Sequence, residues 1–149
     1  RSMYTFWKRT SPPPAMATFD APTREQCTVR RERTNTPLQA LVLMNDPQYV
    51  EAARGLAQQA VRLGGTDTKR ARWMFRRALA RAASDVDVEQ LVAAAGVFRK
   101  QFTGDPKAAD KLLGVGASPK PDGLDAIECA SWTMVANLLM NRDDFLNVE

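Results

Sequence analysis

Residues 36–65 read TPLQALVLMNDPQYVEAARGLAQQAVRLGG, a stretch with two helix start signals in close succession. Thr36 is a good N-cap, Pro37 suits the first helical position, and Gln39 completes a capping box with the threonine. The pair Asp46-Pro47 then repeats the start signal. The stretch therefore predicts two consecutive helices.

Helical signals continue along the rest of the chain. The second helix has apolar residues at spacings of three and four and should end at Gly64-Gly65. We predict further helices over about 68–82 and 87–102, a short one from Asp105-Pro106, and a last one that begins near Asp125. No alternation of strands with helices is present, and there is no glycine-rich phosphate loop. The sequence therefore predicts a mainly α fold, an orthogonal bundle of five to six helices.

The last predicted helix has the widest apolar face in the chain. The apolar residues on it are Ile127, Met134, Val135, Leu138 and Leu139. A helix that is apolar over most of its surface is usually buried. We therefore expect it to be the most buried element, with Leu138 in the core.

The third predicted helix has two contrasting faces. Ala71 and Phe75 belong to an apolar stripe, whereas Trp73 projects among arginines on the opposite side. One interpretation of the cationic face is a nucleic-acid surface. We favour packing of Trp73 against the protein, with Arg76 or Arg77 stacked on its ring.

The N-terminal residues lack a helical period. Ser11-Pro12-Pro13-Pro14 lacks three backbone donors and favours an extended conformation. We predict an extended, Pro-rich, basic arm over residues 1–35 and a helical domain over residues 36–149, which together form one structural unit. Met3-Tyr4-Thr5-Phe6-Trp7 brings four large apolar side chains together, and we expect another part of the protein to cover them.

Composition narrows the possible functions. The 149 residues are one domain in size, and 44% hydrophobic with 26% charged residues is ordinary for a folded protein. No apolar run approaches the ~18 residues of a membrane span, so we predict none. Because histidine is absent, this segment has no His-dependent triad, no imidazole metal ligand and no CxxCH haem attachment. We predict no metal and no cofactor in this segment.

Cys27 and Cys129 are the two cysteines of the chain. They are too few for a structural zinc site. One alternative is a disulfide that closes a loop of about 100 residues. The other, which we favour, is a pair of buried free thiols that act as small core residues.

The net charge of +4 is concentrated in residues 1–36, and the rest of the chain is neutral. Seven basic residues there outnumber three acids: Arg1, Lys8, Arg9, Arg24, Arg30, Arg31 and Arg33 against Asp20, Glu25 and Glu32. Such a patch attracts carboxylates, phosphates, sulfated sugars or nucleic acid. Because nearly all of these cations are arginines, which form directional bonds to carboxylates and carbonyls, we favour an internal ion-pair network.

A candidate ligand site lies within the same segment. Its members are Asp20, Arg24, Glu25, Arg30, Arg31, Arg33 and Asn35. The arginines could bind an anionic group while a carboxylate acts as a base. The alternative is scaffolding, in which Arg30 or Arg33 contacts Asp20, Glu25 or carbonyl groups at helix ends. The residues do not decide whether the site is catalytic.

Three segments of the chain carry a family resemblance: YTFWKRTSPPPAMATFDAP at 4–22, REQCTVRRERTNTPLQALVLMNDPQYVEAAR at 24–54, and ANLLMNRDDFLNVE at 136–149. They resemble the C-terminal portion of a planctomycete domain family of unknown function, found downstream of cytochrome-c-like modules in large exported proteins. The resemblance implies a multi-domain protein of the periplasm or cell envelope. It also implies haem in other domains and upstream domains of the same polypeptide as partners.

Three functional hypotheses follow, in order of preference. The first is an interaction or assembly module that docks onto the upstream part of its polypeptide. The second is part of an enzyme acting on glycans or other acidic polymers, which predicts an open pocket where arginines and acids converge. The third is nucleic-acid binding, which predicts a continuous basic strip and is disfavoured by the resemblance.

Overall fold

The structure is a computed structural model that describes residues 6–8, 11–23, 25, 27–30, 34–120 and 122–146. These residues form eight helices and no strand, which confirms the prediction of a mainly α fold. Only two of the eight, α1 and α8, are shorter than eight residues. The helices are α1 (Pro14–Thr18), α2 (Pro37–Asn45), α3 (Pro47–Leu63), α4 (Asp67–Leu79), α5 (Asp85–Gly104), α6 (Pro106–Leu113), α7 (Ala126–Met140) and α8 (Asp143–Leu146).

The chain divides into two compact units, residues 1–42 and residues 43–149. In the first unit, the Pro-rich arm contains the short helix α1, which begins at Pro14. Proline is compatible with a helix start because its fixed φ suits the first helical position. Thr18 Oγ1 donates a hydrogen bond to the Pro14 carbonyl at 2.9 Å, within the same turn.

The predicted start signals of α2 and α3 are confirmed in atomic detail. Thr36 N–H donates to Gln39 Oε1 at 3.1 Å, and Gln39 N–H donates to Thr36 Oγ1 at 3.3 Å. These two bonds form the reciprocal capping box of α2. Asp46 caps α3 by accepting the Gln48 N–H at 2.8 Å. The helix ends at Leu63, and Gly64 follows with φ 67°.

Helices α4 and α5 differ from their predicted bounds by a few residues. Helix α4 ends at Leu79, since Ala80 adopts a left-handed conformation with φ 55°. Helix α5 begins at Asp85 because Ser84 is its N-cap and forms a capping box with Asp87. The starts of α6 and α7 agree with prediction, with Asp105 and Asp125 as their caps.

Helix α7 is the most buried helix of the second unit, as predicted. Trp132, Val135 and Leu139 have no exposed surface, and they belong to one core cluster with Ala53 and Ala57 of α3. The small alanine side chains allow α3 to lie close against α7. These two helices therefore form the centre of the 43–149 unit, and α5 and α6 also pack on α7.

The prediction that Leu138 lies in the core is wrong. Leu138 is 41% exposed, whereas the neighbouring Leu139 is fully buried. Ile127 and Met134, which lie eleven and four residues before Leu138, are partly buried on the same edge of α7. Because α7 is apolar on nearly all sides, its sequence does not mark the side that faces outward.

Both cysteines are free thiols, as favoured from sequence, but only one is buried. Cys129 lies in a second core cluster with Phe102, Ala109 and Leu113. Burial raises the pKa of the Cys129 thiol to about 11, so the thiol stays protonated at neutral pH. The prediction that Cys27 is also buried is wrong, because its side chain is exposed.

Candidate functional site

The predicted ligand site lies in residues 1–42, and part of it falls outside the described residues. Arg24, Arg31 and Arg33 are in that undescribed part. Among the others, Glu25, Arg30 and Asn35 are exposed.

Asp20 is the half-buried member of the set and adopts φ 56°, a conformation that Asp tolerates better than most residues. Its Oδ2 atom accepts two hydrogen bonds from Thr34, from N–H at 2.9 Å and from Oγ1 at 2.7 Å. The site carboxylate is therefore bonded to a threonine that sequence reasoning did not select.

Gln39 joins this arrangement from the first turn of α2. Its buried Nε2 donates to the Thr18 carbonyl at 2.9 Å, to Thr34 Oγ1 at 3.0 Å and to Asp20 Oδ2 at 3.3 Å. The same side chain completes the capping box of α2 through Oε1. Gln39 therefore ties the end of α1, the Asp20 turn and the start of α2 together, which gives Asp20 a structural role.

In the second unit, two charged residues of α3 hold the loop between α6 and α7. The Glu51 carboxylate accepts the N–H groups of Ala117 at 2.8 Å and Ser118 at 3.0 Å, and also the Ser118 hydroxyl. Gly116 precedes these residues with φ 97°, and a Cβ atom there would clash with the Glu51 carboxylate. The glycine therefore allows the loop to wrap closely around the carboxylate. These hydrogen bonds lower the pKa of Glu51.

Arg54 lies one turn after Glu51 on α3 and is fully buried. Its guanidinium donates to the Leu113 carbonyl, at the last residue of α6, and to the Ser118 carbonyl at 2.9 Å. A cation at the C-terminal end of a helix interacts favourably with the helix dipole. Sequence reasoning did not select Arg54, although it lies in the row Val50–Arg54–Ala57, whose other two members are buried.

A second charged cluster joins α4, α5 and α7. Glu128 accepts hydrogen bonds from Arg70 at 3.0 Å and from both Nε and Nη2 of Arg99, the latter at 3.1 Å. Asp67 accepts from Arg99 Nη2 at 3.0 Å and from Arg70 at 3.4 Å. The positive charges of the two arginines cancel the negative charges of the two carboxylates. The cluster therefore carries no net charge that could attract a charged ligand.

The cluster also changes the acidity of Glu128. Burial acts to raise the pKa of this carboxyl group, but the hydrogen bond from Arg99 and the charges of Arg99 and Arg70 outweigh it. The pKa of Glu128 therefore lies below its ordinary value of 4.5. Because the folded-state pKa is lowered, the ionised Glu128 contributes its full stabilisation above the ordinary pKa of 4.5. This stabilisation is lost as the pH falls through the lowered, folded-state pKa.

We expect Glu128→Gln to remove the part of the unfolding free energy that depends on the ionisation of Glu128. At neutral pH the variant should unfold at a lower urea concentration than wild type, and the difference should shrink below about pH 4.5. Urea unfolding followed by circular dichroism across this pH range measures it. Asp122→Asn, at an exposed carboxylate in the loop before α7, is the control, and its unfolding midpoint should equal that of wild type. A difference that is independent of pH would contradict the assignment.

A third cluster connects α8 to α4 and α5. Arg142 binds Asp87 at 3.1 Å and Asp144 at 3.0 Å, and Arg81 also binds Asp144. The guanidinium carbons of Arg81 and Arg142 lie 4.8 Å and 5.5 Å from the centre of the Phe75 ring. The described cation–π contacts of this unit therefore involve Phe75, whereas the predicted stacking of Arg76 or Arg77 on Trp73 is not found there.

An open groove of about 550 Å³ lies between α4 and α5. Its polar lining includes Arg72, Asp85 and Glu89, and Val88 and Val92 contribute apolar surface. Arg72 binds Asp85 at 2.7 Å, and both side chains are largely exposed. The groove can accommodate a small molecule, and it lies outside the predicted site.

Neither a metal-binding cluster nor a membrane-spanning helix is present in the described part of the chain. No group of three or more His, Cys, Asp or Glu residues there is arranged to hold a metal ion. None of the described helices is both long and apolar enough to cross a membrane.

The fold and these contacts define an α-helical protein in which ion pairs between arginines and carboxylates link the helices of the second unit. Residues 1–95 match the model of a protein family, PSD1, described as "Protein of unknown function (DUF1553)". The match covers more than half of the chain, so the chain belongs to this family. This confirms the resemblance to a domain family of unknown function, while the planctomycete and cytochrome-c associations stay predictions. Comparison with curated proteins and with solved structures yields no match.

Proposed function

We propose that this chain is an interaction module that binds the upstream part of a longer polypeptide. In this proposal, the longer polypeptide is a large exported, cytochrome-c-associated protein of the periplasm or cell envelope, and any haem lies in its other domains. The setting rests on the family resemblance of the three quoted segments. The binding role rests on the surface of the first unit.

The observation that carries the proposal is the exposed apolar side of α2. Leu38 and Leu41 lie three residues apart on one face of this helix and are 57% and 56% exposed. Phe6 and Val29 of the same unit are exposed as well. Apolar residues at helical spacing that stay in water are typical of a surface that a partner covers. Met3-Tyr4-Thr5, the start of the predicted apolar patch, lies outside the described residues.

The charged residues of the second unit support the same proposal. Arg54, Arg70 and Arg99 are committed to carbonyls or carboxylates within the unit. Such pairs position helices, whereas a catalytic group needs an open approach for its substrate. The arrangement favours a scaffold that presents a binding surface.

The test is a calorimetric titration of residues 1–149 with the separately produced upstream segment. We expect binding, and we expect Leu41→Ser to weaken it by about tenfold, because burial of a leucine contributes roughly 1.5–3 kcal/mol. Leu63→Ser is the matched control, since Leu63 is an exposed leucine of α3 in the other unit. Absence of binding, or equal loss in both variants, would contradict the proposal.

The second candidate function is an enzyme that acts on glycans or other acidic polymers. The groove between α4 and α5 favours it, since Arg72, Asp85 and Glu89 converge there. Asp85 and Glu89 are one helical turn apart, a spacing that suits paired carboxylates. We rank it second because Asp85 is a largely exposed partner of Arg72. Release of reducing ends from polygalacturonate, lost in Glu89→Gln, would favour this candidate over the first.

Nucleic-acid binding ranks third. The cationic face of α4 is neutralised at Arg72, which binds Asp85, and Arg81, two residues beyond the end of the helix, binds Asp144. These pairs interrupt the basic strip that a phosphate backbone requires.

A further inference from the structure

The outward face of α5 has an apolar stripe that nothing in the described structure covers. Val86 and Val97 are 62% and 63% exposed, and Ala93, between them, is exposed as well. At 100° per residue the three side chains lie within roughly 40° of one another around the helix. The opposite side of α5, with Val88 and Leu91, is buried in the core.

Two charged residues flank this stripe on one side. Glu89 and Lys100 lie within roughly 20° of each other around the helix axis, one toward each end of the stripe. Both are exposed, and neither has an ion-pair partner among the described residues. Gln90 and Gln101 occupy the other flank in the same way.

This pattern is self-complementary under a two-fold axis. If two α5 helices pack antiparallel with the axis near Ala93, Val86 of each copy lies within one turn of Val97 of the other. Glu89 of each copy then lies within one turn of Lys100 of the other, because residues on the same flank meet in an antiparallel pair. The small side chain of Ala93 lets the helices approach closely at the axis.

We propose that the outward face of α5 is an interface between two copies of this chain, which pair through antiparallel α5 helices. The helix has 20 residues and is about 30 Å long. A single helix pair buries less surface than a standard stable interface, so the dimer is weak and depends on concentration. The inference goes beyond the proposed docking to upstream residues, since it involves a different helix and a different partner.

Sedimentation velocity of residues 1–149 at increasing concentration tests the proposal. We expect a monomer–dimer equilibrium in wild type. Ala93→Arg should abolish the dimer, because it places two like charges face to face at the axis. The substituted side chain points to solvent in the monomer, so helicity by circular dichroism should be unchanged.

A charge-reversal cycle identifies the register. Glu89→Lys and Lys100→Glu should each raise the dissociation constant by roughly tenfold, because each places two pairs of like charges at the interface. The double variant should return to within about threefold of wild type, because the pairs form again with reversed sign. Lys107→Glu, at an exposed residue of α6, is the control and should leave dimerisation unchanged.

Three results would overturn the inference. They are a monomer at every concentration, a dimer that persists in Ala93→Arg, and a double variant as weak as the worse single variant. None of them bears on the proposed docking function, because that test depends on Leu41 and on the upstream segment.

Discussion

Arg54→Met should lower the free energy of unfolding by about 3 to 5 kcal/mol, because it leaves two carbonyl groups without their donor. Methionine is unbranched and fills much of the same space, so the main loss is of hydrogen bonds and charge. The carbonyls of Leu113 and Ser118 belong to the end of α6 and to the following loop. We expect that loop to exchange its amide hydrogens faster in the variant.

Urea unfolding measures this loss, and Arg62→Met provides the matched control. Arg62 lies on the same helix but is exposed, and a surface substitution of this kind usually changes stability by less than about 0.5 kcal/mol. Arg54→Lys keeps the positive charge but lacks the planar, forked donor arrangement of the guanidinium. Its loss of unfolding free energy should therefore lie between the losses of Arg54→Met and Arg62→Met. Equal unfolding midpoints for Arg54→Met and Arg62→Met would show that the buried guanidinium does not stabilise the fold.

Leu139→Ala should cost roughly 2 to 5 kcal/mol, because it opens a cavity in the centre of the core. Leu139 has no exposed surface and packs in the cluster that also contains Trp132 and Val135. Thermal and urea unfolding of the variant measure the effect. The neighbouring Leu138→Ala is the matched control, with the same chemical change at a 41% exposed position.

In Leu138→Ala, the free energy of unfolding should fall by about 1 kcal/mol or less, because much of the leucine side chain that is removed is already in contact with water. The pair thereby tests the orientation of α7 around its own axis. Similar losses in the two variants would mean that Leu138 and Leu139 are equally buried, contrary to the structure.

The helix starts were predictable because their signals are local. The capping box of Thr36 and Gln39, and the Asp-Pro start at Asp46, act within a single turn. The orientation of α7 was not predictable, because ten of its 15 residues are buried and its apolar residues surround the axis. The rotation of such a helix is decided by what packs on each side.

The candidate site was predictable only in its local part. Asp20 was selected as a carboxylate near arginines, but its described donors include Thr34 and Gln39, which are 14 and 19 residues away. Arg54 was not selected because an arginine on a helix is normally solvent-exposed. Its acceptors lie 59 and 64 residues further along the chain, so only the folded structure brings them to it.

The central proposal is that this chain binds the upstream part of a longer polypeptide through the exposed side of α2. Hydrogen exchange of residues 34–42, measured in the free chain and in the presence of the upstream segment, tests it most directly. We predict slower exchange of the amides around Leu38 and Leu41 in the complex, with exchange in α5 unchanged. Identical exchange of residues 34–42 in the two states, under conditions where the segment is in excess, would contradict the proposal.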